Sequence, residues 1–441
     1  MPPSTSSSLL SSKKRSAPDS DAGNAKKVVK VHPFFTKDRS SDASTISKPD
    51  SMFHWLKPLG SRGTCLHAIN LAPKSFAKVA TFDLDGTLIK SSFGKGSKRE
   101  KGNPTHFEWW DGTVPKVLKR LHQDGFSIII ISNQALKGAA LATWKQKIPS
   151  IAAALSEVPF RMLAATAKDE YRKPMPGMWN ELTGIFEAEG VFIDKESSFF
   201  VGDAAGRKWK GSQKDFSCTD RKWSLNIDLP FYTPEEYFLG QPVHTNFTLD
   251  GFDVSSLPTL PSVLPTSSPI LPDPPLQELV LFVGYPCLGK TSFFRRYFEP
   301  AGYIHTNQDT LGSRPKCIAA VKAALDEGKS CVVDNTNRDV KTRKYYIDIA
   351  KAARIPVRCF LFTGSVQLAW HNNLYRAYNL PPSVKARDEP REVLPYLALT
   401  SFHDKYEVPD KEEGFVEIKT VNWRFEGTHE EEKYWKMWLQ V

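Results

Sequence analysis

The chain has 441 residues, enough for two or three domains, and its hydrophobic (40%) and aromatic (12%) contents exclude a chain that is disordered throughout. No apolar run reaches the roughly 18 residues that cross a bilayer, and the six cysteines form no CxxC pair or metal-binding spacing, so we expect an intracellular protein outside the membrane. The net charge of +10 is compatible with a polyanionic partner.

Residues 1–50 are predicted to form a disordered basic arm, because they are rich in Ser and charged residues and poor in apolar ones. The basic clusters 13–15 and 26–27 have the spacing of a two-part nuclear import signal, and we therefore expect a nuclear protein. The alternative is a solvated charged tail without a targeting role.

Residues 51–250 alternate short apolar segments with helical patterns, which predicts an α/β domain with a doubly wound parallel sheet. The predicted strands are 78–83, 126–132, 160–165 and 198–202. The predicted helices are 113–124, 134–156 and 176–189.

Residues 251–275 are dominated by Pro and Ser and are predicted to be an extended linker. The alternation restarts in residues 276–441, which predicts a second doubly wound α/β domain. Its predicted strands are 279–283, 302–306, 330–334 and 357–362, and its predicted helices are 290–298, 315–327, 340–352 and 365–378.

The first predicted strand ends in the sequence FDLDGT, which places Asp83 and Asp85 at its carboxyl end. Parallel sheets bind ligands at this edge, so both side chains can point into one crevice. An aspartate there can attack phosphorus, while the second can protonate the leaving oxygen and later activate water.

Three further strand ends carry polar groups. Ser132 and Asn133 could hold a phosphate oxygen, Lys173 could neutralise a transferring phosphoryl group, and the Asp203 carboxylate suits Mg²⁺. Each alone has a plainer interpretation, such as a helix cap or a surface lysine.

In this order, the four motifs resemble the haloacid-dehalogenase-like phosphatase superfamily. The resemblance implies that Asp83 is the nucleophile, Asp85 the general acid and base, and Ser132 and Lys173 the phosphate contacts. It also implies a Mg²⁺ ion held by Asp83, by the backbone carbonyl of Asp85 and by Asp203.

Two basic segments flank these motifs. Residues 90–101 hold five Lys/Arg against one Glu, and residues 207–222 hold six against two Asp. In the superfamily that the motifs resemble, a large cap domain usually covers the site when the substrate is small. The intervals between the motifs here are too short for one, so the resemblance implies an open site that admits the end of a polyanion. The alternative is two solvated basic loops.

The second domain carries a match to GxxxxGK[ST] between a predicted strand and a predicted helix. Such a loop cradles phosphates with its backbone N–H groups, while Lys290 reaches the β- and γ-phosphates of ATP and Thr291 ligates Mg²⁺. We therefore expect the Lys290 side chain to be open to solvent. The predicted ATP-binding residues are Gly284, Tyr285, Pro286, Cys287, Leu288, Gly289, Lys290, Thr291 and Ser292.

Later strand ends supply the remaining parts of a kinase. Asp309 could accept the proton of an acceptor hydroxyl, and its plainer interpretation is a helix cap. Asp334 could orient Thr291, and Arg376 could stabilise charge on the transferring phosphoryl group.

The two halves together, with the sequences VGDAAGR, KDFSCTDR, NQDTLGS, VVDNTNRDV and HNNLYR, resemble the bifunctional polynucleotide kinase 3′-phosphatases of DNA strand-break repair. The resemblance implies removal of 3′-phosphates and ATP-dependent phosphorylation of 5′-hydroxyls. Animal members carry an N-terminal forkhead-associated domain, for which residues 1–50 are too short, so we do not expect the phosphopeptide-dependent recruitment that this domain provides. Gln308 stands where many members have arginine. This departure concerns the preference for nucleotide or acceptor and not the reaction itself.

Three other functions remain possible at this stage. RNA end repair is one, because nothing in the sequence reads a 2′-hydroxyl. A small-molecule phosphatase fused to a metabolite kinase is the second. A repair scaffold with inactive sites is the third, and the intact site residues argue against it.

Overall fold

The computed structural model describes residues 52–91, 105–209, 211 and 213–441. The predicted arm at 1–50, its import signal and most of the basic segment 90–101 lie outside the described residues. Within the described part, no helix combines the length and apolarity needed to cross a bilayer.

The first domain is built on a seven-stranded sheet with the order β1-β2-β5-β4-β3-β6-β7. Its strands are β1 Phe53–Trp55, β2 Cys65–Asn70, β3 Val79–Phe82, β4 Ser127–Asn133, β5 Phe160–Ala165, β6 Phe199–Val201 and β7 Phe231–Tyr232. Its helices are α1 Val114–Gln123, α2 Gly138–Ala154, α3 Gly177–Ala188, α4 Thr219–Ile227 and α5 Pro234–Leu239.

Strands β5, β4, β3, β6 and β7 run parallel, as predicted, whereas β1 and β2 add an antiparallel edge. The isoleucines of β4 show why the sheet is covered on both faces. Ile128 and Ile130 pack in one apolar core, and Ile129 and Ile131 pack in the core on the other face. Since alternate strand residues point to opposite faces, an unbroken apolar run requires two cores.

The second domain is built on a six-stranded sheet with the order β10-β11-β9-β12-β13-β8. Its strands are β8 Val263–Leu264, β9 Leu279–Val283, β10 Ile304–Thr306, β11 Cys331–Val333, β12 Val357–Thr363 and β13 Glu417–Asn422. Its helices are α6 Lys290–Phe293, α7 Gln308–Leu311, α8 Arg314–Asp326, α9 Val340–Ala352, α10 Val366–Tyr378, α11 Pro382–Lys385, α12 Tyr396–Asp404 and α13 His429–Trp435.

The Pro- and Ser-rich segment 251–275 packs more closely than an extended linker. Its strand β8 pairs antiparallel with β13, and Phe252 is buried in the same apolar core as Phe282 of β9. The Lys419 ammonium group of β13 also donates to the carbonyl oxygen of Ser268, at 2.8 Å. Apolar residues between the prolines therefore attach this segment to the second sheet.

Candidate active sites

Three carboxylates meet at the carboxyl edge of the first sheet. Asp83 follows β3, Asp203 follows β6, and Asp220 lies in the first turn of α4. One ligand oxygen from each lies within 4.8 Å of the others, close enough for all three to reach a single ion. Asp83 and Asp203 therefore lie close enough to reach one ion, and their role as its ligands stays a prediction.

Two glycines leave room for these carboxylates to approach one another. A Cβ atom at Gly86, where φ is +91°, would lie 2.3 Å from a carboxylate oxygen of Asp203. A Cβ atom at Gly202 would lie 2.5 Å from a carboxylate oxygen of Asp220. Any side chain at either position would push a carboxylate out of the cluster.

Lys173 is buried between two of the three carboxylates. Its Nζ lies 2.6 Å from Asp83 Oδ1 and 2.8 Å from Asp220 Oδ1, and it donates to the carbonyl oxygen of Ile131 at 3.0 Å. The side chain of Asn133 fixes the backbone of Lys173, accepting its N–H at 2.9 Å and donating to its carbonyl oxygen at 3.0 Å. Asn133 thus orients the lysine, and its predicted phosphate contact stays a prediction.

Asp85 lies beside the cluster with a separate partner. Gln134 donates through Nε2 to Asp85 Oδ2 at 2.8 Å and to the Ser132 hydroxyl at 2.9 Å. This amide places the carboxyl of Asp85 and the hydroxyl of Ser132 on one side of the site. Burial raises the pKa of Asp85, which favours its protonated form.

Burial also opposes ionisation within the cluster itself. It raises the pKa of Asp83 to about 7, against the attraction of Lys173 and assisted by repulsion from Asp220. Burial and the charge of Asp83 raise the pKa of Asp203 well above its usual range. Closely spaced buried carboxylates fit a divalent cation such as Mg²⁺, because a hard ion offsets their mutual repulsion with oxygen ligands.

Asp220 is the site residue that the sequence argument does not identify. It accepts the backbone N–H of Ala204 at 3.0 Å in addition to its contact with Lys173. It lies within the KDFSCTDR sequence that contributes to the resemblance, so a signal was present although no role was assigned to it.

Part of the basic segment 207–222 is buried and does not form the expected surface for a polyanion. Arg207 is buried and pairs with Asp215 at 2.9 Å and with Glu235 at 2.6 Å. Arg221 stacks on aromatic rings and Lys222 is fully buried. The fold therefore uses these three cations internally, whereas the segment's other described lysines are exposed, and their predicted contact with a polyanion stays a prediction.

The glycine-rich loop of the second domain runs from the end of β9 into α6. Cys287 and Gly289 have positive φ angles of 63° and 82°, and α6 begins at Lys290. These conformations place successive backbone N–H groups at a helix N-terminus, an arrangement that suits phosphate groups.

Lys290 is less open than expected, with 8% of its surface exposed. Its Nζ donates to the carbonyl oxygens of Tyr285, at 2.5 Å, and Gly284, at 3.1 Å. A buried ammonium group needs such acceptors, and the loop itself supplies them. Burial lowers the pKa of Lys290 to about 8. The expectation of a solvent-exposed lysine is thus wrong for this conformation.

Thr291 and Asp334 form the expected pair beside the loop. The Thr291 hydroxyl donates to Asp334 Oδ2 at 2.6 Å, and His305 Nε2 lies 3.0 Å from the same oxygen. Although burial opposes ionisation of Asp334, these hydrogen bonds bring its pKa below the usual range. The Asp334 carboxylate can therefore orient Thr291 and a hydrated cation.

Helix α10 lies against the other side of the loop. Asn372 donates to the carbonyl oxygen of Cys287 at 3.0 Å, and Arg376 contacts Asn373 Oδ1 at 3.5 Å.

Asp309 of α7 is exposed. Its backbone N–H donates to the side-chain oxygen of Asn307, which caps the helix. The plainer interpretation of Asp309 as a helix cap is therefore wrong. The proposed roles of Asp309 and Arg376 stay predictions.

A carboxylate cluster with a buried lysine on one α/β sheet, and a glycine-rich phosphate loop on a second, define a phosphoryl-transfer enzyme with two sites. Comparison with known proteins gives the same division. Residues 78–238 match the family model "Polynucleotide kinase 3 phosphatase", and residues 279–389 match the "AAA domain" model.

Two relatives place the chain more closely. The "Bifunctional polynucleotide phosphatase/kinase" of Schizosaccharomyces pombe is 35% identical over 83% of this chain and 84% of its own length. The "Polynucleotide 3'-phosphatase ZDP" of Arabidopsis thaliana is 33% identical over 37% of this chain and 24% of its own length. The chain belongs to the bifunctional polynucleotide phosphatase/kinase family, and the predicted resemblance is confirmed.

Proposed function

We propose that the protein heals DNA strand breaks by removing a 3′-phosphate at the Asp83 site and phosphorylating a 5′-hydroxyl at the Lys290 site. The observation that carries the proposal is the presence of both sites in one chain. Asp83, Asp203 and Asp220 form a cation cluster with Lys173, and Lys290 opens the helix after a phosphate loop. Their products are the two ends that a ligase joins.

In the phosphatase step, a carboxylate oxygen of Asp83 attacks phosphorus and the bond to the 3′-oxygen breaks. Asp85 gives its proton to the leaving 3′-oxygen. A water molecule then attacks the aspartyl phosphate and loses its proton to Asp85, which releases phosphate and restores Asp83. Gln134 holds Asp85 for both transfers through its 2.8 Å hydrogen bond.

In the kinase step, the 5′-hydroxyl attacks the γ-phosphorus of ATP and ADP leaves. Asp309 accepts the hydroxyl proton, while Arg376 stabilises the charge that develops on the phosphoryl oxygens. Lys290 exchanges its loop carbonyls for phosphate oxygens when ATP binds.

Asp83, Asp203 and Asp220 would hold Mg²⁺ in the first site and Thr291 in the second, where the ion would offset the negative charge of the phosphate oxygens. The experiment that tests the proposed function uses a nicked duplex with a 3′-phosphate and a 5′-hydroxyl, together with Mg²⁺ and ATP. Each end is scored separately, and we expect both to be converted.

The same assay separates the alternatives. An RNA end-repair enzyme would act faster on the matched RNA substrate. A metabolite enzyme would act on free sugar phosphates or nucleosides and be indifferent to polymer length. Conversion of neither DNA end would overturn the proposal.

We further propose that the protein acts in the nucleus, where it meets broken DNA and other repair proteins. The basic clusters 13–15 and 26–27 support this location. A fluorescent fusion should concentrate in the nucleus, and replacing both clusters with alanine should distribute it through the cell. An unchanged nuclear signal in that variant would show that the two clusters do not direct import.

A further inference from the structure

Residues 438–441 follow the kinase fold in sequence but lie against the phosphatase domain. The amide of Asn226, buried on α4, links them to the catalytic lysine loop. Asn226 Oδ1 accepts the Trp438 N–H at 2.7 Å, and its Nδ2 donates to the Trp438 carbonyl oxygen at 2.7 Å. The same Nδ2 donates to the carbonyl oxygen of Pro174, also at 2.7 Å. Pro174 directly follows Lys173.

Lys222 makes a second connection from the same helix. Its side chain is fully buried, and its Nζ donates to the Gln440 carbonyl oxygen at 2.9 Å and lies 5.6 Å from the centre of the Trp438 ring. Asp220, which contacts Lys173 at 2.8 Å, lies two residues earlier in α4. A buried ammonium group without its carbonyl partner would be strongly disfavoured, so residues 438–441 stabilise this part of α4.

A third contact is apolar. Leu439 is 1% exposed and shares a cluster with Met175 of the phosphatase domain and with Leu374 and Tyr378 of α10. Met175 lies two residues after Lys173. The cluster therefore packs kinase side chains directly against the loop that carries the phosphatase lysine.

We propose that residues 438–441 are a positioning segment for the phosphatase, holding Lys173 and Asp220 against Asp83. Neither Asn226 nor Leu439 contacts the reacting groups, so each acts through the elements that it fixes. Such supporting contacts set the orientation of groups that must meet a phosphoryl group within a fraction of an ångström. The inference rests on the proposed 3′-phosphatase activity.

The test measures both activities of the full chain and of its Asn226→Ala and Leu439→Ala variants. We expect the phosphatase kcat to fall roughly 10- to 100-fold, with its KM little changed and the 5′-kinase activity retained. Leu439→Met, which keeps the apolar volume, should restore most of the phosphatase kcat. Gln440→Ala is the matched control, since it removes the contact of the Gln440 side chain with Gln367 but keeps the carbonyl oxygen used by Lys222.

The outcomes are separable. If the unaltered chain hydrolyses no 3′-phosphate, the proposed function fails. If the unaltered chain is active and both alanine variants keep their phosphatase kcat, the positioning role is overturned. A parallel fall of phosphatase and kinase activities would also overturn it, because that pattern indicates general destabilisation.

Discussion

Asp220 is placed to act on two partners of the phosphatase site at once. It lies within reach of the cation position shared by Asp83 and Asp203, and it forms a 2.8 Å ion pair with Lys173. Removing its charge would weaken cation binding and leave the Lys173 ammonium group with Asp83 as its one carboxylate partner among the described residues. Both effects act on the same phosphoryl transfer.

We therefore expect Asp220→Asn to lower 3′-phosphatase turnover by about 100-fold while sparing the 5′-kinase, since the loss of a ligand or its support commonly costs this much. Separate end-labelled assays measure the two activities. Asp228→Asn is the matched control, because Asp228 caps the same helix and pairs with Lys195 at the exposed surface. Equal phosphatase turnover in the two variants would show that Asp220 has no role in the phosphatase reaction.

The opposite selectivity is expected from Lys290→Ala. Loss of the ammonium group removes the charge that the loop offers to the ATP phosphates, and kinase turnover should fall by about 100-fold or more. Phosphatase turnover should be unchanged. Lys344→Ala, which removes an exposed ammonium group paired with Asp348, is the control, and intact 5′-labelling by Lys290→Ala would contradict the loop assignment.

How far single residues could be predicted depended on their position in the elements. Asp83 and Asp203 follow apolar strands directly, so the parallel-sheet rule alone brings them together. Asp220 is in a helix, and it reaches the site because Gly202 lets α4 approach the sheet. That approach is a tertiary contact with no local pattern in the sequence.

At the scale of elements, continuous apolar strands were predicted well, whereas the polar strand β13 and the two-residue strand β8 were not. Strands β4 and β9 are apolar runs, whereas β13 has the sequence EIKTVN and β8 is only Val263–Leu264. Strands β13 and β8 owe their pairing to neighbours that local periodicity does not show. Three of the six cations counted in residues 207–222 lie in internal contacts for a similar reason, because charge counts do not reveal such contacts.

Helix α10 contains a buried histidine that makes stability depend on pH. His371 Nε2 lies 2.7 Å from the Trp435 carbonyl oxygen, so this nitrogen carries the proton, and Nδ1 has no partner among the described residues. Burial lowers the pKa of His371 to about 4, from 6.5. The unfolded chain therefore binds more protons between pH 6.5 and pH 4, and folding stability must fall as the pH falls through that window.

Because of His371, we expect the free energy of unfolding to be about 2 kcal/mol lower at pH 5 than at pH 7. The His371→Gln variant keeps an amide that can donate to Trp435. Its free energy of unfolding should fall by about 2 kcal/mol less over the same interval. Urea unfolding at both pH values measures the difference. His67, whose pKa burial also lowers to about 4, remains in both proteins and cancels in the comparison. An identical pH response of the two proteins would contradict the assignment.

At the scale of the whole molecule, the two sites are separate in chemistry but joined in structure. Helix α10 contacts the phosphate loop through Asn372, and its Leu374 and Tyr378 share an apolar cluster with Met175 of the phosphatase domain. A single chain can thus carry both activities to the same break. Tethered sites gain an effective local concentration that separate proteins lack.

This arrangement predicts a difference between one chain and a mixture. Asp83→Asn removes the phosphatase nucleophile and Lys290→Ala disables the kinase, so an equimolar mixture still holds both activities. We expect the mixture to heal a nick completely at high enzyme concentration. At low concentration it should fall behind the unaltered chain, because two separate proteins must then find the same break.

The measurement is the rate of ligatable product from a nicked duplex over a dilution series, with ligase in excess. A ratio of the two rates that rises on dilution would show that both ends are processed before the chain departs. A constant ratio at every dilution would mean that the chain leaves between the two reactions. The contacts of residues 438–441 with the phosphatase domain would then have no part in keeping the chain on the break between the two reactions.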